Sequence, residues 1–199
     1  MRAWALLLAM LVTWPVAAAA SKIQPSLVSV GVYLHDRLID TATAVCIGAK
    51  GGRSWFLTGS SPRMGEAVSV FAAHGKTPKV KVVEAGLPED GPVLLRVDGT
   101  FPGVPWSKKD LKPGQDLNAF MVPFGRGGLQ QVAVLLTGDP RAWVVEFPRT
   151  KAVLVPDGAA MLDDEDRLVG IACGRQDEPV RLVTMASLAP RLPALGLTP

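Results

Sequence analysis

Apolar residues in this chain recur as short strand-length runs rather than with a helical period. In the first half the runs are Leu27 to Tyr33, Thr41 to Ile47, Ser54 to Thr58, Ala67 to Phe71, Lys79 to Val83 and Val93 to Val97. The stretch KVKVV at 79–83 opens with polar and apolar residues alternating, which divides a half-buried strand between solvent and core. A second set follows at Leu117 to Val122, Gln131 to Leu136, Ala142 to Phe147, Lys151 to Val155, Arg167 to Ala172 and Val180 to Met185. Between the sets, Gly99, Pro102, Gly103, Pro105, Pro113 and Gly114 mark a crossing segment. The pattern predicts an all-β chain of two packed six-stranded antiparallel barrels, since closure removes the edges that many short strands otherwise leave open. The first barrel is expected over 21–98, the connection over 99–112 and the second barrel over 113–185. In the tail, 186–199, Pro190 and Pro193 permit only a short helix before an irregular end packed on a barrel.

One segment stands outside this pattern. Residues 1–20, MRAWALLLAMLVTWPVAAAA, place Arg2 before an apolar run and end in small residues, the layout of a cleavable signal peptide. The run is shorter than the roughly 20 residues of a membrane span, and Pro15 interrupts it. No cysteine stands at its end to accept a lipid. The expectation is an exported product, periplasmic or secreted, with no stable membrane insertion after cleavage. Export places Cys46 and Cys173, the only cysteines, in an oxidising compartment, where they either form one disulfide or remain small buried hydrophobes.

The 199 residues carry 21 Lys and Arg against 18 Asp and Glu, and loss of Arg2 with the leader lowers the formal charge from +3 to +2. Because the two signs intermix, no concentrated basic surface implies nucleic acid as a partner. The densest charged pieces, Lys108 to Asp110 and Asp163 to Arg167, read as solvated loops. The acidic piece has no EF-hand glycine pattern, and two isolated histidines with no cysteine pair offer no zinc spacing. GRGG at 125–128 and the pair at 51–52 lack the phosphate-loop lysine. No cofactor and no metal site are therefore expected. The aromatics Trp55, Phe56, Phe120, Phe124, Trp143 and Phe147 are expected to fill barrels, and Trp106 to pack in the core or between the barrels.

Five local patterns, in order, carry a family resemblance. They are SWFLTGSS at 54–61, GPVLLRVDG at 91–99, LKPGQDLNAFMVPFG at 111–125, PDGAAML at 156–162 and RLVGIACG at 167–174. Together they resemble the trypsin-like serine proteases of the bacterial Deg/Htr type, which implies a double barrel with a cleft between its halves. The residues that would do the chemistry are replaced. The family's histidine position falls at Ser61, after Gly59 and Ser60, and its aspartate position at Gly91, beside Asp90. The nucleophile position falls at Gly158 in one alignment and at Asp157 in another. The glycines that would form the oxyanion nest become Ala159 and Ala160, and Pro156 has no N–H to donate.

Peptide hydrolysis by this route needs a hydroxyl or thiol beside a base that takes its proton and later protonates the leaving amine. His35 and His74 are the only histidines and stand near strand ends or loops, and Ser187, in the tail, does not resemble a nucleophile elbow. No catalytic residue is assigned. The resemblance implies a catalytically inactive trypsin-like protein, a pseudoprotease, that binds a protein or an extended peptide. In the groove version of this reading, bulky residues at Ser61 or Gly158 impair binding and leave folding intact. Two alternatives stand beside it. One is an active serine-type endopeptidase with displaced residues, Asp90 or Asp98 orienting His74. The other is a structural or assembly subunit of an exported complex, with a contiguous apolar patch outside the cleft.

Overall fold

The computed structural model describes residues 22–65, 67–72, 80–83, 91–124, 128–147, 157–174, 179–193 and 196–197. The leader, His74, Asp90, the run at 151–155 and Pro156 lie outside them. Strands β1 (Leu27–Leu34), β2 (Arg37–Lys50), β3 (Arg53–Thr58), β4 (Ala67–Ala72), β5 (Val80–Val83) and β6 (Val93–Asp98) form one antiparallel sheet in the order β4-β1-β2-β3-β6-β5. Its end strands β4 and β5 come together, which curls it into the first barrel. Strands β7 (Asp116–Met121), β8 (Gln130–Asp139), β9 (Ala142–Glu146), β10 (Ala160–Leu162), β11 (Leu168–Cys173) and β12 (Arg181–Thr184) close the second barrel in the order β10-β11-β12-β9-β8-β7.

Tight turns set the registers. His35 and Asp36 both have positive φ, 47° and 61°, and join Leu34 directly to Arg37. Such a two-residue turn matches the strand twist only with both central residues left-handed, a conformation that histidine and aspartate tolerate better than most. Gly51 and Gly52 do the same between β2 and β3.

Three cores account for the near-continuous apolar runs. Val28, Val30, Val32, Ala44, Phe56, Val70, Leu95 and Val97 fill the first barrel. Leu117, Met121, Leu136, Trp143, Met161, Val169 and Leu182 fill the second. The intervening residues on several of these strands, among them Leu27, Val45, Leu57, Leu94, Phe120, Leu162, Leu168 and Ile171, point outward and meet in a third cluster between the barrels. A strand buried on both faces loses the polar alternation that an exposed face imposes.

Other segments seal this middle core. Trp106, in the connection, is buried there, and Val104 donates its N–H to the Cys46 carbonyl at 2.9 Å. Leu168 donates to Pro105 and Ser107 donates back to Leu168, both at 2.8 Å, so the connection is hydrogen-bonded into both barrels. After helix α1 (Met185–Leu188) the chain makes a 3-10 turn at Ala189–Arg191. Met185, Leu188, Leu192 and Leu197 then pack against the middle core beside Ile23. Each buried side chain of this size contributes about 1.5 to 3 kcal/mol, which fixes the tail despite its prolines. Among the described residues no helix is long and apolar enough to cross a membrane.

Two expectations change, and one open alternative, the state of the cysteines, is settled. The acidic piece is only partly a solvated loop: Asp163 is buried, its Oδ1 accepting the N–H groups of Glu165 at 2.9 Å and Arg167 at 3.0 Å, its Oδ2 the Ser107 hydroxyl at 2.6 Å. Lys109 reaches Asp164 at 2.7 Å and Glu165 at 2.8 Å, tying the connection to this turn. These exposed pairs hold Lys109 above its usual pKa, chiefly through the hydrogen bonds to Asp164 and then Glu165, and lower that of Asp164. Cys46 and Cys173 do not form a disulfide. Both are buried and free, Cys46 inside the first barrel and Cys173 in the middle core. Finally, β10 covers only three residues and was not predicted as a strand.

Candidate functional site

The site is where the two barrels touch, at the residues that the family resemblance sets against catalytic positions. Strand β3 ends at Thr58, and a 3-10 turn at Ser61–Met64 follows Gly59 and Ser60. Across the seam, Asp157 and Gly158 precede β10. Ser61 is buried and donates to Asp157 Oδ2 twice, from its N–H at 2.9 Å and its hydroxyl at 2.8 Å. Gly174, just after β11, donates its N–H to Asp157 Oδ1 at 3.3 Å. Of the two alignments, the structure thus brings Asp157, not Gly158, to face Ser61.

The backbone around this pair is equally engaged. Thr43 donates its N–H to the Asp157 carbonyl at 2.9 Å, and its own carbonyl accepts the Thr58 hydroxyl at 2.7 Å. The Thr43 hydroxyl oxygen accepts the N–H of Val122, from the second barrel, at 3.0 Å. Thr43, wholly buried, therefore makes two hydrogen bonds across the seam, to Asp157 and Val122, and a third within its own barrel, to Thr58. Nothing in the run TATAVC distinguishes it from a β-branched strand residue chosen for packing.

Two glycines are required by this arrangement. A Cβ on Gly59 would overlap the Asp157 carboxylate, which lies directly on that backbone. Gly158 has φ +86°, and a Cβ there would overlap the Thr43 carbonyl and come within 2.7 Å of the Gly59 nitrogen. Ser61 and Gly158 are both buried. The expectation that bulky residues at either position leave folding intact is therefore corrected: neither borders open space.

The third aligned position is backbone. Gly91 offers its carbonyl to the Arg63 guanidinium at 2.9 Å, and Pro92 accepts a second bond from it at 3.3 Å. The other candidates are dispersed. His35 is at the turn between β1 and β2, Asp98 at the exposed end of β6, and the Ser187 hydroxyl donates to the Thr184 carbonyl at 2.7 Å. Burial raises the Cys46 thiol pKa to about 11 and that of Cys173 to about 12, the latter helped by the nearby Asp157 charge. Neither thiol ionises near neutral pH, so neither is an activated nucleophile. Among the described residues, no group of three metal-ligating side chains comes together.

One pair needs chemical scrutiny: the Ser61 hydroxyl on the Asp157 carboxylate is nominally a nucleophile beside a proton acceptor. A carboxylate is a weaker base than imidazole in the neutral range and cannot readily return a proton to a leaving amine. Here both its oxygens already accept fixed N–H groups, and the Ser61 hydroxyl is buried under it. The arrangement serves as a hydrogen-bonded latch.

No protein-family model matches the chain, and no curated protein matches it in sequence. Solved structures do match in fold. A serine endoprotease from Yersinia pestis superposes with a TM-score of 0.66 at 17% identity, over 89% of this chain and 64% of that one. This chain therefore spans less than two thirds of that protein's length. The Rv3671c protease of M. tuberculosis, in its active form, superposes with a TM-score of 0.67 at 17% identity, over 91% of this chain and 85% of that one. The architecture is the trypsin-like double barrel.

Proposed function

We propose that this chain is an exported, catalytically inactive trypsin-like protein that acts by binding another protein or an extended peptide. The observation that carries the reading is the Asp157 carboxylate held by Ser61 and Gly174 at the junction of the barrels. It puts a buried, hydrogen-bonded anion where acyl transfer by this fold needs a free nucleophile and an imidazole. With the chemistry replaced, what a double barrel still offers is a rigid frame for recognition loops.

The test uses the chain without its leader, purified from the export compartment. It is expected to show no turnover of casein or of a fluorogenic peptide library, and crosslinking in that compartment is expected to return one protein at fixed stoichiometry. Hydrolysis that survives repurification and is abolished by Ser61→Ala would overturn the inactive assignment.

A second reading is favoured by the 2.8 Å Ser61–Asp157 pair itself, a serine hydroxyl on a carboxylate in a protease fold. A fluorophosphonate probe separates the two readings. Covalent labelling of Ser61 supports an unusual serine-type peptidase, and an unlabelled protein supports the binding module.

A further inference from the structure

The outer face of the first barrel carries a charge pattern that the intermixed signs of the sequence do not reveal. In the register of β3 with β6, Trp55 stands opposite Arg96 and Arg53 opposite Asp98. Arg96 is in turn opposite Lys81 of β5, and Arg53 opposite Lys50 of β2. Directly paired residues share a face, as do residues two apart on one strand, so all six stand on one side of the sheet. It is the outer side, because the intervening Phe56, Leu95 and Val97 fill the barrel. Further along the same face, Leu57 and Leu94 are buried in the middle core, against which Trp55 packs while staying partly exposed. The six residues are thus the open continuation of the surface by which the barrels join.

This patch is unbalanced. Lys50, Arg53, Lys81 and Arg96 set four cations across four adjacent strands, a width of about 15 Å, against the single carboxylate of Asp98. Lys50, Arg53, Lys81 and Asp98 are exposed, and Arg96 is partly so. The ion pairs among the described residues join Lys109 and Arg167 to the acidic turn, and none involves these four cations. Arg96 and Lys81 are like charges directly opposite one another, an arrangement that weakens a strand pair. Neither has a carboxylate partner among the described residues to relieve it.

We propose that this face docks a protein partner whose surface presents carboxylates to Arg53, Arg96, Lys50 and Lys81. Three features select an acidic protein surface over an added strand or a uniform polyanion. The two central strands, β3 and β6, are each paired on both sides, so their backbone is spent within the sheet and side chains alone are left to recognise the partner. Next, an indole between two guanidinium groups, with lysines at the rim, is the composition of a protein–protein interface, where Trp and Arg dominate the centre. Asp98 also stands within the patch. A layer of phosphate headgroups is repelled by that carboxylate, whereas a protein meets it with a cation of its own. The face lies outside the seam and stands whether or not the protein is an enzyme; it rests on the proposed function only for the existence of a protein partner.

The photo-crosslinking residue p-benzoylphenylalanine in place of Thr100, exposed beside Asp98, tests this face in the cells that export the chain, and the same residue in place of Met64 samples the seam. Capture of one protein from Thr100 is expected, through an acidic peptide. Arg96→Glu combined with Lys81→Glu should lower the yield at least about tenfold, while Lys112→Glu, exposed elsewhere, leaves it unchanged. Lysines in place of the partner's mapped carboxylates should restore capture by the reversed chain. In the purified leader-free protein, Lys81→Glu alone sets a carboxylate opposite Arg96 and should raise the unfolding midpoint by about 1 to 3 °C. A fall would make the cation a structural one and overturn its docking role. Capture from Met64 but not from Thr100 overturns this face and leaves the protein-binding reading standing; capture from neither overturns both. Capture indifferent to the reversals also overturns the proposal. So does sedimentation of the wild type, but not of the reversed chain, with phosphatidylglycerol vesicles, because the occupant is then a membrane.

Discussion

Replacing Gly59 with alanine adds a single methyl group, and the structure specifies what that group meets. The three nearest heavy atoms to a Cβ at this position all belong to the Asp157 carboxylate. The glycine is not among those with positive φ, so backbone conformation adds no strain. In the wild-type background, Gly59→Ala must push the carboxylate off Ser61 and Gly174. Overpacking typically costs about 1 to 3 kcal/mol. Leaving the N–H groups of Ser61 and Gly174 without their acceptor adds about 1 to 3 kcal/mol for each group that water cannot reach. A loss of about 3 kcal/mol is expected.

Asp157→Ala orphans the same two donors and removes a buried anion, and the desolvation it relieves partly offsets the loss, so about 2 to 3 kcal/mol is expected. In that background the obstacle to a Cβ at Gly59 has gone. There Gly59→Ala should be neutral, or stabilising by a few tenths of a kcal/mol through the lower entropy of the unfolded chain. The two substitutions should therefore couple by about 3 kcal/mol in a double-mutant cycle. Urea unfolding followed by tryptophan fluorescence measures all four proteins. Additivity within about 0.5 kcal/mol would show that the carboxylate does not rest on Gly59 and would dismantle the latch.

Further expectations follow from the same seam and from the buried thiols. Gly158→Ala, with its Cβ forced onto the Thr43 carbonyl at φ +86°, should cost more than about 4 kcal/mol and yield little soluble protein. Normal thermal stability of that variant would refute the tight approach. Asp157→Ser should fold, yet leave peptide turnover at background because Ser61 supplies no imidazole. Activity in that single variant would contradict the assignment of roles. Because folding raises both thiol pKa values from 9.0, to about 11 for Cys46 and about 12 for Cys173, the protonated thiols contribute stability below pH 9. That contribution is lost as pH rises from 9 through these values, at up to about 1.4 kcal/mol per pH unit for each thiol. A Cys46→Ala, Cys173→Ala double variant should flatten the alkaline limb of the stability curve relative to wild type, and an unchanged slope would place the titration elsewhere.

The strands were legible because each needs only a run of apolar residues between turn formers, and the runs from Leu27 to Tyr33 through Val180 to Met185 fall on strands, where described, to within one residue at their ends, Met185 opening the helix instead. β10 was not legible, since Ala160 to Leu162 is too short to display alternation and is buried on every side. Asp163 was read with its acidic neighbours as solvated, although its fixed carboxylate organises the turn and binds Ser107, far away in sequence. The positions of Ser61, Gly91 and Gly158 or Asp157 could be marked by order and spacing, but not which of the last two faces Ser61.

The order of apolar runs and turn residues was sufficient for two barrels, because strand burial and tight turns are local demands that each segment meets with its own residues. Which side chains share the seam was decided only by tertiary structure. Asp157 and Ser61 are separated by 96 positions, and their contact depends on Gly59, Thr43 and Gly174 arriving from different strands at once. A carboxylate's partners are set by distance in space, and no local pattern encodes that.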